Sequence, residues 1–145
     1  MTKKETLITA ICGLFILLFF YTAFSKWMDF GEFEHQMANQ PFDRKYLNLL
    51  LYGLPSLEIL TALLLIPPQT RLISLWSCLL LMVAFTFYIV LIKLNYYGRI
   101  PCSCGGVIRH LSWTQHLIFN VFFLALAVTG VILERKSKHL VSLSN

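Results

Sequence analysis

Two cysteines one residue apart, Cys102-Ser103-Cys104, are the part of this 145-residue chain best suited to chemistry. A disulfide between them closes a small, strained ring, and strained, exposed disulfides are more oxidising and more labile than structural ones. A staple across one residue also removes almost no chain entropy. The pair therefore suits electron exchange better than stapling. Pro101 fixes the backbone entering the pair, and Gly105-Gly106 frees it on exit, so a partner's backbone can approach closely. Arg99 and Arg109 flank the segment, and nearby cations favour the thiolate. The same thiols can instead form half of a metal site completed by His110 or His116, or be loop thiols without a role.

Other polar residues stand out against apolar surroundings. Glu58 is the sole acid within its apolar stretch, about 18 Å along a helix counted from the cysteine-loop side. A carboxylate at that depth is costly unless protonated or partnered, which makes it a functional candidate by default. Pro55 lies one turn before it and can bend the helix to admit a neighbour. Lys26 and Lys93 end two other helices on the loop side, where long cationic side chains snorkel to the interface; Lys26 is also a candidate for a polar pocket around Glu58. His116 and Asn120, four residues apart and close to Trp113 and Gln115, share one helix face and can reach a common site. A histidine there can take or give protons as the thiols cycle, or simply bond a neighbouring helix. Thr86 and Tyr88 add further partners. Cys12 and Cys78 each lie about 10 Å inside a helix from the other side. They can face each other as a second thiol pair, bracket a quinone, or serve as small packing residues. His35 and His139 read as solvated.

The elements that must position these groups follow from composition. Hydrophobic residues make up 57% of the chain and charged residues 13%, against about 25% charged in an ordinary soluble domain. The charges fall in clusters separated by long apolar intervals. About 20 apolar residues span a hydrocarbon core as a helix, and four intervals fit: Leu7–Phe24, Leu47–Ile66, Leu72–Leu94 and Trp113–Leu133. Period-2 alternation, the mark of a spanning barrel, is absent. The expected fold is all-α, an integral membrane four-helix bundle forming one domain over residues 1–145. The first span reads as a retained helix rather than a cleaved leader, because its apolar run exceeds the usual 7–15 residues and no small-x-small site precedes Lys26. The net charge of +5 speaks of loops and anionic headgroups rather than nucleic acid.

Four spans put both termini and the Pro67-Pro68-Gln69-Thr70 turn on one side. The loops at 25–46 and 95–112 lie on the other. Basic residues do not orient the bundle: Lys3, Lys4, Arg71, Arg135, Lys136 and Lys138 balance Lys26, Arg44, Lys45, Lys93, Arg99 and Arg109. Trp27, Tyr46, Tyr96, Tyr97 and Trp113 mark the loop-side interface.

Tyr21-Thr22-Ala23-Phe24-Ser25-Lys26, Leu54-Pro55-Ser56-Leu57-Glu58, Phe85-Thr86-Phe87-Tyr88, Pro101-Cys102-Ser103-Cys104-Gly105-Gly106 and Trp113-Thr114-Gln115-His116 with Asn120 together resemble the MauE branch of the DoxX-like membrane proteins, over nearly the whole chain. The Pro55-x-x-Glu58 pattern is weak alone; the cysteine-glycine loop joined to the Trp113–His116 helix is fairly specific. The resemblance implies a four-helix protein of the bacterial inner membrane associated with redox chemistry. Its namesake is required for maturing methylamine dehydrogenase, an enzyme rich in periplasmic disulfides, and DoxX relatives are linked to quinone-coupled oxidation of sulfur compounds.

The expectation is a membrane thiol–disulfide oxidoreductase. Cys102 and Cys104 cycle, His116 shuttles protons, and Glu58, Lys26, Asn120 and Trp113 shape an intramembrane pocket. Electrons pass between a periplasmic thioredoxin-like partner or disulfide-containing client and a quinone, or a relay through Cys12 and Cys78. A loop that exchanges electrons with exported proteins faces the periplasm, where disulfides persist, which puts the termini in the cytoplasm. The alternatives are a non-enzymatic membrane subunit or scaffold of a larger assembly, and a Cys/His metal-binding membrane protein.

Overall fold

In hydrocarbon every backbone N–H and C=O must be satisfied within its own segment, so the apolar intervals become helices. The computed structural model describes residues 3–41, 43–96 and 112–143. Its elements are α1 (Lys3–Met28), α2 (Phe30–Ala38), a single 3-10 turn (Arg44–Tyr46), α3 (Leu47–Leu64), α4 (Arg71–Lys93) and α5 (Trp113–Leu143). There is no strand among the described residues. Four helices are long and apolar enough to cross a membrane, over Lys3–Met28, Arg44–Leu64, Arg71–Lys93 and Trp113–His139. The all-α, four-span architecture is as expected.

The structure differs from the expected spans in two respects. α1 and α5 run past their apolar cores into the charged ends, because hydropathy marks the hydrocarbon zone and not where helical hydrogen bonding stops. The 25–46 loop is also largely helical. α1 continues to Met28, and α2 follows after the single residue Asp29. α2 is amphipathic: Phe33 and Met37 are buried, with Phe30 half-buried, while Glu32, Glu34 and His35 face out. Its apolar face packs on Leu47, Leu50, Leu51 and Leu54 of α3.

α1 packs chiefly against α3, and α4 against α5. Each helix contributes one buried stripe at helical spacing. On α1 it is Ile8, Ile11, Cys12, Phe15, Phe19, Ala23 and Lys26. On α3 it is Leu51, Pro55, Glu58, Thr61 and Ala62. Both stripes are apolar toward the terminal side and carry their one charge further along. The apolar ends pack into one core with Leu75, Cys78, Met82, Phe123, Ala127 and Val131 of α4 and α5. Near their tight turn α3 and α4 are pinned by Thr70 Oγ1 donating to the Leu64 carbonyl (2.6 Å) and Ser74 Oγ donating to the Thr61 carbonyl (2.5 Å).

At Gly130, α5 packs tightly on α4 and α1. A Cβ there would stand 3.0 Å from Leu75 Cδ2 and 3.2 Å from Ile11 Cγ2. Small residues let membrane helices approach. Gly130→Leu is therefore expected to overpack this contact and destabilise by about 1–3 kcal/mol, read as a lower midpoint in thermal denaturation of the detergent-solubilised protein. Gly130→Ala is expected to change it little, because the methyl's strain offsets its gain in helix propensity.

Candidate functional site

Above the core the helix pairs part around a cavity of about 420 Å³. All five helices line it. α1 supplies Leu18, Phe19, Thr22 and Lys26; α2 and the residue just past it supply Phe33, Met37 and Gln40; α3 supplies Leu50, Leu54 and Glu58. α4 contributes Met82, Phe85, Tyr88 and Ile89, among others, and α5 contributes Trp113, His116, Phe119 and Asn120. Every membrane-embedded pocket residue expected from sequence thus lines one space: Lys26, Glu58, Trp113, His116 and Asn120.

Glu58 is partnered. Lys26 Nζ donates to both carboxylate oxygens, at 2.6 and 2.8 Å, and the two residues are 7% and 2% exposed. Lys26 does not snorkel outward; its stem turns inward along α1 to reach α3. The Thr22 hydroxyl stands beside the same carboxylate while donating to the Phe19 carbonyl at 3.2 Å. Lys93, by contrast, is exposed and donates to Thr114 Oγ1 at 2.9 Å. Lys26 and Glu58 are the only lysine and the only carboxylate among the described residues lining the cavity. Chelated to each other, their opposite charges cancel.

α5 presents the other polar wall. Trp113 and His116, three residues apart, lie with rings nearly parallel (16°) and centroids 6.4 Å apart, so the indole orients the imidazole. His116 Nδ1 and Asn120 Nδ2 are buried without a hydrogen-bond partner among the described residues. Asn120 is 4% exposed. Tyr88 of α4 donates to Gln40 Oε1, and Gln40 Nε2 donates to the Gln36 carbonyl at 3.2 Å. That chain clips the end of α2 to α4 across the cavity's loop-side mouth. Gln40 and Thr22 carried no assignment from sequence. Gln40 sits two residues beyond α2, in a stretch with no distinguishing pattern, and a single threonine such as Thr22 in an apolar helix has none either.

Cys12 and Cys78 do not line the cavity. Both are free thiols, buried in the terminal-side core between α1 and α4 and within electrostatic range of each other. Cys102 and Cys104, with Arg99, Arg109 and His110, lie outside the described residues. So does the remainder of 97–111, which joins α4 to α5.

Taken together, these features define a helical membrane protein whose bundle holds a charge-paired, aromatic-walled cavity. A family model described as "Methylamine utilisation protein MauE" matches residues 4–133, and the chain belongs to this bacterial membrane family. That membership is consistent with a membrane accessory role. No curated protein and no solved structure shows significant similarity to the chain.

Proposed function

We propose that this chain is a membrane thiol–disulfide redox protein, with Cys102 and Cys104 as the reacting pair. One observation carries the reading. Lys26 of α1, Glu58 of α3, and Trp113, His116 and Asn120 of α5 converge on one cavity, at the root of the helix that the cysteine segment enters. Only seven residues lie between Cys104 and Ser112, a tether of at most about 28 Å when extended. The thiols can therefore reach His116 without any rearrangement of the bundle.

In the oxidising direction the partner is a periplasmic thioredoxin-like protein or client that presents a dithiol. Its thiolate attacks the Cys102–Cys104 disulfide and forms a mixed disulfide. Its second thiol resolves that bond, leaving the partner oxidised and Cys102 and Cys104 as a dithiol. Two electrons and two protons have entered the pair. Re-oxidation passes both electrons and both protons to an acceptor in the bilayer, a quinone that leaves as the quinol. His116 takes and returns protons at this junction. The reverse sequence balances equally, with a quinol as donor. Cys12 and Cys78 offer a thiol relay as the alternative acceptor. The cavity favours the bilayer molecule, because neither of these thiols borders it.

The test is trapping. With Cys104→Ser, Cys102 attacks the disulfide of the oxidised partner, and no neighbouring thiol can displace the partner from it, so a mixed disulfide accumulates. The expected result is a reducible, covalently linked thioredoxin-like protein on non-reducing gels. No adduct would overturn the redox reading and leave the chain as an accessory scaffold.

A further inference from the structure

The cavity opens sideways as well as toward the loop. Ala84 and Phe87 line it, yet both are exposed on α4, Phe87 at 63%. α4 crosses the bilayer, so a residue on both surfaces marks a mouth into hydrocarbon. Leu50 and Leu54 of α3 line it as well and are half-buried. Partly exposed lining residues on α3 and α4 therefore offer an entry from the lipid.

The wall chemistry limits what can enter. The charged pair is closed on itself, so among the described residues no free charge in the cavity answers an ionic headgroup. Asn120 Nδ2 and His116 Nδ1 have no partner among the described residues, and leaving a buried donor unsatisfied costs about 1–3 kcal/mol. They lie one turn apart on the same face; an acceptor oxygen there satisfies the Asn120 amide and, in the Nδ1–H tautomer, the imidazole as well. Phe85 and Phe119 supply flat apolar walls, which suit a planar ring. The volume is that of a typical small-molecule site, about 300–1,000 Å³.

We infer that this cavity is a binding site for a neutral, lipid-soluble molecule with a carbonyl-bearing ring, of the quinone class. It enters between α3 and α4, places its carbonyl against Asn120 and His116, and leaves its tail beside Ala84 and Phe87. The assignment deepens the function proposed above by supplying its acceptor. That role rests on the redox reading, whereas the binding itself does not.

The probe is decylubiquinone, titrated into the full-length protein in nanodiscs. Trp113 lines the cavity and reports occupancy by fluorescence quenching. Saturable quenching is expected, lost in Trp113→Phe. Asn120→Leu, close to isosteric, should weaken binding about tenfold or more, the worth of one buried hydrogen bond. Ala84→Phe, a lipid-facing change that leaves the core intact, should weaken it by narrowing the mouth. Cys102→Ser/Cys104→Ser should bind as wild type does, so failure of the thiol chemistry and failure of this site are separable. The site is overturned by non-saturable quenching, or by unchanged affinity in both Asn120→Leu and Ala84→Phe. It is also overturned if short-chain phosphatidylglycerol displaces the probe, which would make the occupant a phospholipid.

Discussion

Lys26→Met is expected to destabilise the folded protein by about 3–5 kcal/mol, the usual cost of stranding one member of a buried ion pair. The geometry puts this site at the upper end. Lys26 Nζ is bonded to both Glu58 oxygens, and within the cavity no other lysine or arginine among the described residues can replace it. Methionine keeps the stem's length and apolar packing, so the change isolates the charge. A loss of this size should appear as a large drop in the detergent-unfolding midpoint and in membrane yield. Glu58→Gln should cost less, because the lysine stem can swing toward the loop-side interface and recover water. The decisive measurement is the double variant Lys26→Met/Glu58→Leu. With both charges gone the unpaired burial disappears, and stability should return close to wild type. A double variant no more stable than Lys26→Met alone would show that the pair is not the source of the loss.

This pair also shows how far the sequence could be read. Glu58 was legible as a buried acid needing a partner, because one carboxylate in a long apolar stretch has few stable alternatives. Lys26 was legible as sharing its pocket, but not as the residue paired with it. Lys26 and Lys93 look alike in sequence, each a lysine closing a helix on the loop side. Only the packing of α1 on α3 turns Lys26 inward and leaves Lys93 at the surface. The His116–Asn120 face was legible, since spacing of four residues fixes two side chains on one side of a helix. That it borders the same cavity as Glu58 depended on which helices are neighbours, and hydropathy carries no such information. α2 was missed for a different reason. Its Phe30, Phe33 and Met37 spacing is helical, but a nine-residue element among charges gives too short a periodicity to compete with a loop reading.

Cys102→Ser should reduce thiol exchange with the partner to background. A serine hydroxyl cannot form a disulfide, so the remaining Cys104 can no longer cycle between dithiol and disulfide with a neighbour. The readout is the partner's thiol state in cells, resolved by alkylation and gel shift. The companion variant is Cys12→Ala/Cys78→Ala. These thiols sit in the terminal-side core with Ile8, Ile11, Phe15 and Leu75 and away from the cavity, so replacing them removes little more than two small packing groups. A stability loss of about 1 kcal/mol per site, typical of point substitutions, is expected, with exchange unchanged. The opposite outcome, exchange lost in Cys12→Ala/Cys78→Ala at normal membrane levels, would move the electron path out of the cavity and into a thiol relay through α1 and α4. Either result constrains the ligand site as well. A relay would need no bilayer acceptor, whereas exchange that survives without Cys12 and Cys78 leaves a lipid-borne molecule beside His116 and Asn120 as the place for the electrons to go.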